Sequence, residues 1–76
     1  MMDEGYILGN KFRRAIFDEL VSGERDIRRI AKKHRIILRV AQKVMDEFEA
    51  GELVTKQGPF YSFTEQGKKL VDTMYH

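Results

Sequence analysis

The chain has 76 residues, a formal net charge of +2 and no cysteine. At this length we expect a single domain, residues 1–76, whose core is too small to surround a large catalytic pocket, and without cysteine it can have neither disulfide bonds nor thiolate metal sites. Because the first residues, MMDEGYILGN, are acidic, unlike a signal peptide, and no apolar stretch approaches the ~20 residues that cross a bilayer, we expect a soluble cytoplasmic protein.

The first two predicted helices follow from the spacing of apolar residues. The stretch NKFRRAIFDELVSGE places Phe12, Ile16 and Leu20 four residues apart and ends at Gly23, which is typical of a helix C-terminus. In RDIRRIAKKHRI, apolar residues three and four apart predict a short second helix with Asp26 as its N-cap. The outward face of this second helix is almost wholly basic.

A third helix is predicted from near Ile37 to about Ala50, because Ala41 and Met45 belong to one continuous apolar stripe. Gly51 ends this helix. Only a few residues separate it from the second helix, which indicates a tight turn between the two.

The pattern changes to a period of two after the third helix. The segment ELVTKQGPFYSF predicts two short strands around Gly58 and Pro59, with Tyr61 and Phe63 on one face. Thr64 is suited to cap a last helix that carries the apolar residues of KKLVDTMY. The expected fold class is therefore α+β, mainly α, in the order helix, helix, tight turn, helix, hairpin, helix.

Charge is distributed unevenly along these elements. Between Arg25 and Lys43 the sequence has eight basic side chains and one acid, whereas from Val44 to Val54 it has four acids and no base. If the basic side chains share a face, that face attracts a polyanion. A solvated helix surface is the simpler alternative, but the density of the cluster and the reversal of charge favour the polyanion.

The order of elements and several local strings resemble the winged helix-turn-helix domains of prokaryotic transcriptional regulators of the ArsR and MarR type. ILGNKFRRAIFDELVSGE is similar to the first-helix signature of ArsR-type proteins. FEAGELVTKQGPFYSFTEQGKKLVD is similar to the end of the recognition helix, the wing and the start of the last helix. The resemblance covers nearly the whole chain and implies a three-helix core, a two-stranded β-wing and a C-terminal helix.

The resemblance also implies roles in DNA binding. Residues 26–34 would form the supporting helix and residues 37–50 the recognition helix, with KQGP as the wing tip. The side chains expected to read base edges in the major groove are Arg39, Gln42, Lys43 and Asp46. The side chains expected to contact phosphates are Arg28, Arg29, Lys32, Lys33, Arg35 and Lys56.

The turn before the third helix departs from the family pattern. The family has Gly where Arg35 stands, because the turn needs a left-handed residue, and Arg in that conformation costs about 1 kcal/mol or more. Either the turn geometry differs here or Ile36 compensates by entering the core. The family also has a Ser or Thr cap where Ile37 stands. Ile37 and Leu38 would contact thymine methyls, pack against the wing or another subunit, or cover the core from the side.

Apolar residues near both chain ends suggest a dimer. GYIL and the last helix offer more apolar surface than a three-helix core needs, and proteins of the resembled type usually dimerise through terminal helices. The expected interface residues are Phe12, Leu70, Met74 and Tyr75. The alternative is that both ends close over the same core. A twofold dimer would place two recognition helices about 34 Å apart.

We therefore expect sequence-specific binding of double-stranded DNA by a homodimeric transcriptional regulator that is not an enzyme and has no cofactor. No metal is expected, because the histidines lack spaced ligand partners, and His34 is interpreted as packed or turn-stabilising. Asp46, Glu47 and Glu49 do not converge for acid–base chemistry. One alternative is a winged-helix protein-interaction module in a transcription or repair assembly. The other is a regulator that responds to a ligand at its dimer interface.

Overall fold

Helices and one antiparallel hairpin make up residues 3–75, the part of the chain that the computed structural model describes. In chain order the elements are α1 (Glu4–Leu8), α2 (Lys11–Ser22), α3 (Ile27–Lys33), α4 (Leu38–Ala50), β1 (Val54–Gln57), β2 (Phe60–Phe63) and α5 (Glu65–Met74). The expected α+β, mainly helical class is confirmed. Within residues 3–75, no helix is both long enough and apolar enough to cross a membrane.

Local sequence signals set the helix boundaries. Asn10, Asp26 and Thr64 are the N-caps of α2, α3 and α5, and each side chain accepts a hydrogen bond from a backbone N–H of the first turn. Gly23 ends α2 in the left-handed conformation, with φ 107°. Gly51 is the C-cap of α4. The predicted caps at Asp26 and Thr64 and the predicted ends at Gly23 and Gly51 are thus observed.

The short helix α1 was not among the predicted elements. Its N-cap, Asp3, accepts a hydrogen bond from the Tyr6 backbone N–H at 3.0 Å. Ile7 is fully buried in the core. The Tyr6 hydroxyl donates a hydrogen bond to Oε1 of Glu47 on α4 at 2.6 Å. Contacts with the rest of the protein therefore hold this five-residue helix in place.

The core lies between α2, α3 and α4, and the hairpin closes it from one side. The Phe17 ring meets Phe48 edge-on, with ring centroids 6.0 Å apart, and lies 5.2 Å from the Phe63 ring. Ala41 and Met45 are fully buried, as the apolar stripe of the third predicted helix requires. The largest fully buried side chains are Tyr61, Phe17, Phe48, Ile7, Ile16, Ile30, Met45, Leu53 and Val54.

The hairpin pairs β1 with β2 in the register Val54↔Phe63, Thr55↔Ser62, Lys56↔Tyr61 and Gln57↔Phe60. Gly58 has φ 61° in the turn between the strands. The hairpin also bonds to residues at the start of α3: the Ile27 N–H donates to the Pro59 carbonyl at 3.1 Å, and the Tyr61 N–H donates to the Arg25 carbonyl at 2.9 Å. The hairpin is therefore fastened to the start of α3.

The start of α5 packs directly on the backbone that follows α4. The Thr64 N–H donates to the Leu53 carbonyl at 2.9 Å. Gly67 is buried, and a Cβ atom at this position would lie 2.1 Å from the Leu53 carbonyl oxygen. Only glycine permits this close approach.

Candidate nucleic-acid interface

The turn between α3 and α4 contains a left-handed residue, Arg35. Arg35 has φ 53°, and its side chain is exposed. The Ile36 N–H donates to the Ala31 carbonyl at 2.8 Å, and the Ile36 side chain is buried. Of the two alternatives, the structure therefore shows the second: Arg35 is left-handed and Ile36 enters the core.

α4 presents a polar outward face. Its buried residues are Ala41, Val44, Met45 and Phe48. The helical period places Arg39, Lys43 and Asp46 on the opposite side, with Gln42 next to them. Leu38 continues the line of Ala41 and Met45 toward the start of the helix, where it is 49% exposed. Among residues 3–75, neither Arg39 nor Lys43 has an ion-pair partner. Both cations are therefore available to an external anion.

Gln42 is held by two neighbours on this face. Its side-chain amide nitrogen donates to the Tyr61 hydroxyl at 2.7 Å and to Oδ1 of Asp46 at 3.0 Å. An amide nitrogen carries two hydrogens, so both donors are in use and the carbonyl oxygen remains for a ligand. The bonds that hold Gln42 also join α4 to β2. Sequence reasoning missed Tyr61 as a partner, although a buried tyrosine usually hydrogen-bonds through its hydroxyl.

Three of the expected phosphate-binding side chains have acidic partners within the protein. Arg28 donates from Nε and Nη2 to both carboxylate oxygens of Asp26, at 3.0 and 2.8 Å, and these bonds lower the pKa of Asp26 to about 2. The other two contacts are Arg29 Nε to Glu24 Oε1 at 3.7 Å and Lys33 Nζ to Glu19 Oε2 at 3.0 Å. The three basic side chains remain largely exposed. The Arg29–Glu24 pair is the most exposed of the three and contributes about 0–1 kcal/mol, so a phosphate can replace its carboxylate, whereas the side chains of Asp26 and Glu19 are only 11% and 12% exposed.

The remaining expected phosphate contacts have no acidic partner among the described residues. Lys32 and Arg35 are exposed at the end of α3 and in the following turn. The Lys56 ammonium lies 6.0 Å from the ring centroid of Tyr61, whose hydroxyl contacts Gln42 on α4. Lys56 is therefore close to the outward face of α4. We refer to Lys32, Arg35, Arg39, Lys43 and Lys56 as the unpaired cations.

His34 joins the end of α3 to α2. Its Nε2 lies 2.8 Å from Oε2 of Glu19, which Lys33 also contacts. Hydrogen bonds from Lys33 and then His34 lower the pKa of Glu19 below its ordinary value. His34 is also the C-cap of α3, which agrees with a turn-stabilising histidine. Among residues 3–75, no group of three or more potential ligand side chains is placed to hold a metal ion.

Ile37 and Leu38 do not cover the core of the protein. Their exposed fractions are 66% and 49%. Ile37 is the N-cap of α4 and makes no side-chain capping hydrogen bond. The two aliphatic side chains therefore face outward at the start of α4, beside Arg35 and Arg39.

The acidic residues lie at the other end of α4. Glu49, Glu52 and Glu65 line an open cleft of about 440 Å³. Glu49 lies ten residues beyond Arg39, which is about 15 Å along the helix axis. The charge reversal in the sequence thus becomes a separation of charge along one helix.

The expected dimer residues lie where the chain ends meet the core. Phe12, Leu70 and Met74 are half-buried against it. Tyr75 is 49% exposed, and its hydroxyl donates a hydrogen bond to Asp18 on α2, which raises the pKa of Tyr75 to about 12. Both chain ends therefore cover part of one core, which was the alternative to a dimer in the sequence analysis. Leu8 on α1 remains an exposed apolar side chain in this region.

Comparison of the chain with protein-family models, curated proteins and solved structures found no match.

Proposed function

We propose that this protein is a winged helix-turn-helix protein that binds double-stranded DNA and regulates transcription, with no catalytic role. In this proposal α3 is the supporting helix, α4 is the recognition helix and the β1–β2 hairpin is the wing. The observation that carries it is the set of unpaired cations on α3, the turn, α4 and β1. The major groove of DNA accommodates one α-helix, and phosphates line both of its edges.

The geometry supports a division of roles among the outward residues of α4. Arg39 and Lys43 have free donors, which suit the O6 and N7 acceptors of guanine. Gln42 and Asp46 were expected to read bases as well, but they hydrogen-bond to each other, and Gln42 also bonds to Tyr61. In our proposal these two residues position the recognition helix against the wing, and base reading falls mainly to Arg39 and Lys43.

The experiment that tests DNA binding is a salt titration. Purified protein selects fragments from a random duplex pool, and affinity for the enriched duplex is then measured by fluorescence anisotropy across a range of salt concentrations. With about four to six phosphate contacts per subunit, the slope of log K against log salt is expected to be roughly −7 to −11 for a dimer. Lys32→Ala should reduce its magnitude by about one unit per subunit.

Lys69→Ala is the matched control, because Lys69 is an exposed lysine on α5, outside the proposed interface. This variant should leave the slope unchanged. A flat salt response of the wild-type protein, or equal effects of the two lysine substitutions, contradicts the proposed interface.

The proposal includes a homodimer formed through α1 and α5. Its support is the exposed Leu8 and Tyr75 next to the half-buried apolar residues of both helices. Leu8→Glu tests this contact better than a change at Met74, because Met74 also packs on the core. In sedimentation at micromolar concentration, Leu8→Glu should dissociate the dimer and Thr55→Glu, on the hairpin, should not. A wild-type protein that sediments as a monomer at all concentrations contradicts the dimer.

One observation favours a second candidate function. Ile37 and Leu38 are exposed aliphatic side chains at the start of α4, and such residues are common at protein–protein contacts. A winged-helix module that binds another protein would use them. The salt titration separates the two candidates, since that module needs no counterion release from DNA.

A further inference from the structure

The exposure of Ile37 is exceptional in this chain. Each of the other five isoleucines is at most 8% exposed, whereas Ile37 is 66% exposed. Leu38, next to it, is 49% exposed. The core does not need these side chains, and leaving large aliphatic groups in water forgoes the free energy of burying them.

The position of both residues indicates what covers them. Leu38 lies in the first turn of α4, next to Arg39 and one turn before Gln42, and Ile37 immediately precedes it. In helix-turn-helix proteins the N-terminal residues of the recognition helix contact base edges. Ile37 and Leu38 are therefore at the end of α4 that enters the groove first.

Charge around the two residues distinguishes DNA from a protein partner. Arg35 and Arg39 flank them in the chain, and Lys32 lies one turn before Arg35, at the end of α3. An apolar protein surface docked here would bring three unpaired cations out of water without partners. A DNA duplex supplies phosphates for the cations. It also supplies one apolar group in the major groove, the C5-methyl of thymine.

The hydrogen bonds of the Gln42 side chain also favour contact with thymine. A glutamine reads adenine through its amide donor and carbonyl acceptor together, but both amide hydrogens of Gln42 are bonded to Tyr61 and Asp46. These hydrogen bonds leave adenine without Gln42 as a bidentate partner, whereas thymine still offers its C5-methyl group. Aliphatic side chains at the start of the helix suit that group.

We propose that Ile37 and Leu38 are specificity-determining residues that recognise thymine through its C5-methyl group. The inference rests on the proposed DNA binding and adds the base that is read. Arg39 and Lys43 select guanine in this scheme, while Ile37 and Leu38 select thymine at the neighbouring positions.

The test compares thymine with uracil, which pairs identically but lacks the methyl group. The duplex enriched from the random pool is synthesised with thymine or with uracil at each position. For the wild-type protein we expect a loss of about fourfold for each methyl group that the side chains bury. In the Ile37→Ala/Leu38→Ala double variant the two duplexes should bind equally well.

Glu49→Ala is the matched control, because it truncates an exposed side chain on the same helix, about 15 Å from Arg39 and outside both the proposed groove contact and the proposed dimer contact. This variant should retain the wild-type ratio of thymine to uracil affinities. Thermal unfolding of every variant checks that the fold is intact, which we expect because neither Ile37 nor Leu38 is buried.

Three results overturn the inference and are distinguishable. Equal affinity of the wild-type protein for the two duplexes excludes methyl reading and leaves DNA binding intact. Loss of self-association in the double variant, with an unchanged affinity ratio, assigns Ile37 and Leu38 to a contact with a second copy of the chain. Absence of binding to any duplex removes the proposed function together with the inference.

Discussion

Arg35 offers a test in which fold stability and DNA binding change in opposite directions. Its backbone is left-handed, with φ 53°, and its exposed side chain has no ion-pair partner among residues 3–75. Replacement by glycine relieves about 1 to 2 kcal/mol of backbone strain, from which about 0.5 to 1 kcal/mol is subtracted for the greater entropy of glycine in the unfolded chain. Arg35→Gly should therefore raise the free energy of unfolding by roughly 0.75 kcal/mol, the centre of the resulting range of about 0 to 1.5 kcal/mol.

The same substitution removes one of the unpaired cations. In a chain of this size the gain in stability corresponds to a rise in Tm of about 2 to 8 °C, which thermal unfolding by circular dichroism resolves. In the salt titration, Arg35→Gly should weaken DNA binding and reduce the slope by about one unit per subunit. A more stable protein that binds DNA less tightly is the expected result.

Glu52 provides a matched control because it has the same backbone conformation, with φ 63°, at the opposite end of α4. Glu52→Gly should stabilise the fold by a similar amount and leave the salt slope unchanged. If Arg35→Gly lowers the Tm, the turn is not strained as argued. If both glycine variants lose DNA affinity equally, Arg35 has no specific place in the interface.

Three further changes test contacts within the fold. Gly67→Ala places a Cβ atom 2.1 Å from the Leu53 carbonyl oxygen, so urea unfolding should show that the free energy of unfolding falls by at least about 2 kcal/mol. An unchanged stability would mean that α5 does not pack this closely. The pKa of the Asp26 carboxyl is lowered from 3.8 to about 2, so the stabilisation by its carboxylate is complete above pH 3.8 and is lost as the pH falls through 2. The Asp26→Asn variant should be less stable at neutral pH, and its stability should depend less on acid. An acid unfolding profile unchanged by this substitution would contradict the argument. Tyr61→Phe removes an acceptor for the Gln42 amide, so the free energy of unfolding should fall by about 1 kcal/mol. In selection from random duplexes, the base preference should also change. An unaltered preference would mean that Gln42 does not respond to this bond.

The helices and the hairpin that the sequence predicted are those whose signals are local. Apolar spacing, the caps at Asp26 and Thr64 and the turn at Gly58 each act over a few residues, so they can be recognised without knowledge of the packing. α1 lacks such signals. It has five residues and is held by Ile7 in the core and by Tyr6 on α4, which are contacts that no local pattern reveals.

For the candidate site, the sequence predicted which residues of α4 face outward, but not which of them already form hydrogen bonds within the protein. The outward positions follow from the helical period, once Ala41 and Met45 are placed inside. The bond from Gln42 to Tyr61 joins residues 19 apart in the chain. Contacts of Lys33 and His34 with Glu19 likewise join different helices. Such pairs depend on how the elements pack, and charge counting along the chain therefore overestimated the number of free cations.

The attachment of the hairpin to residues 25–27 has a consequence for how the chain folds. The two backbone hydrogen bonds, from Ile27 to Pro59 and from Tyr61 to Arg25, join segments more than thirty residues apart. Closing a loop of that length costs conformational entropy, whereas α3 and α4 meet across a turn of only a few residues. We expect α3 and α4 to pack together early in folding and the hairpin to pack against them late. A nascent chain would thus acquire its helical core before the strand that completes the fold has been synthesised.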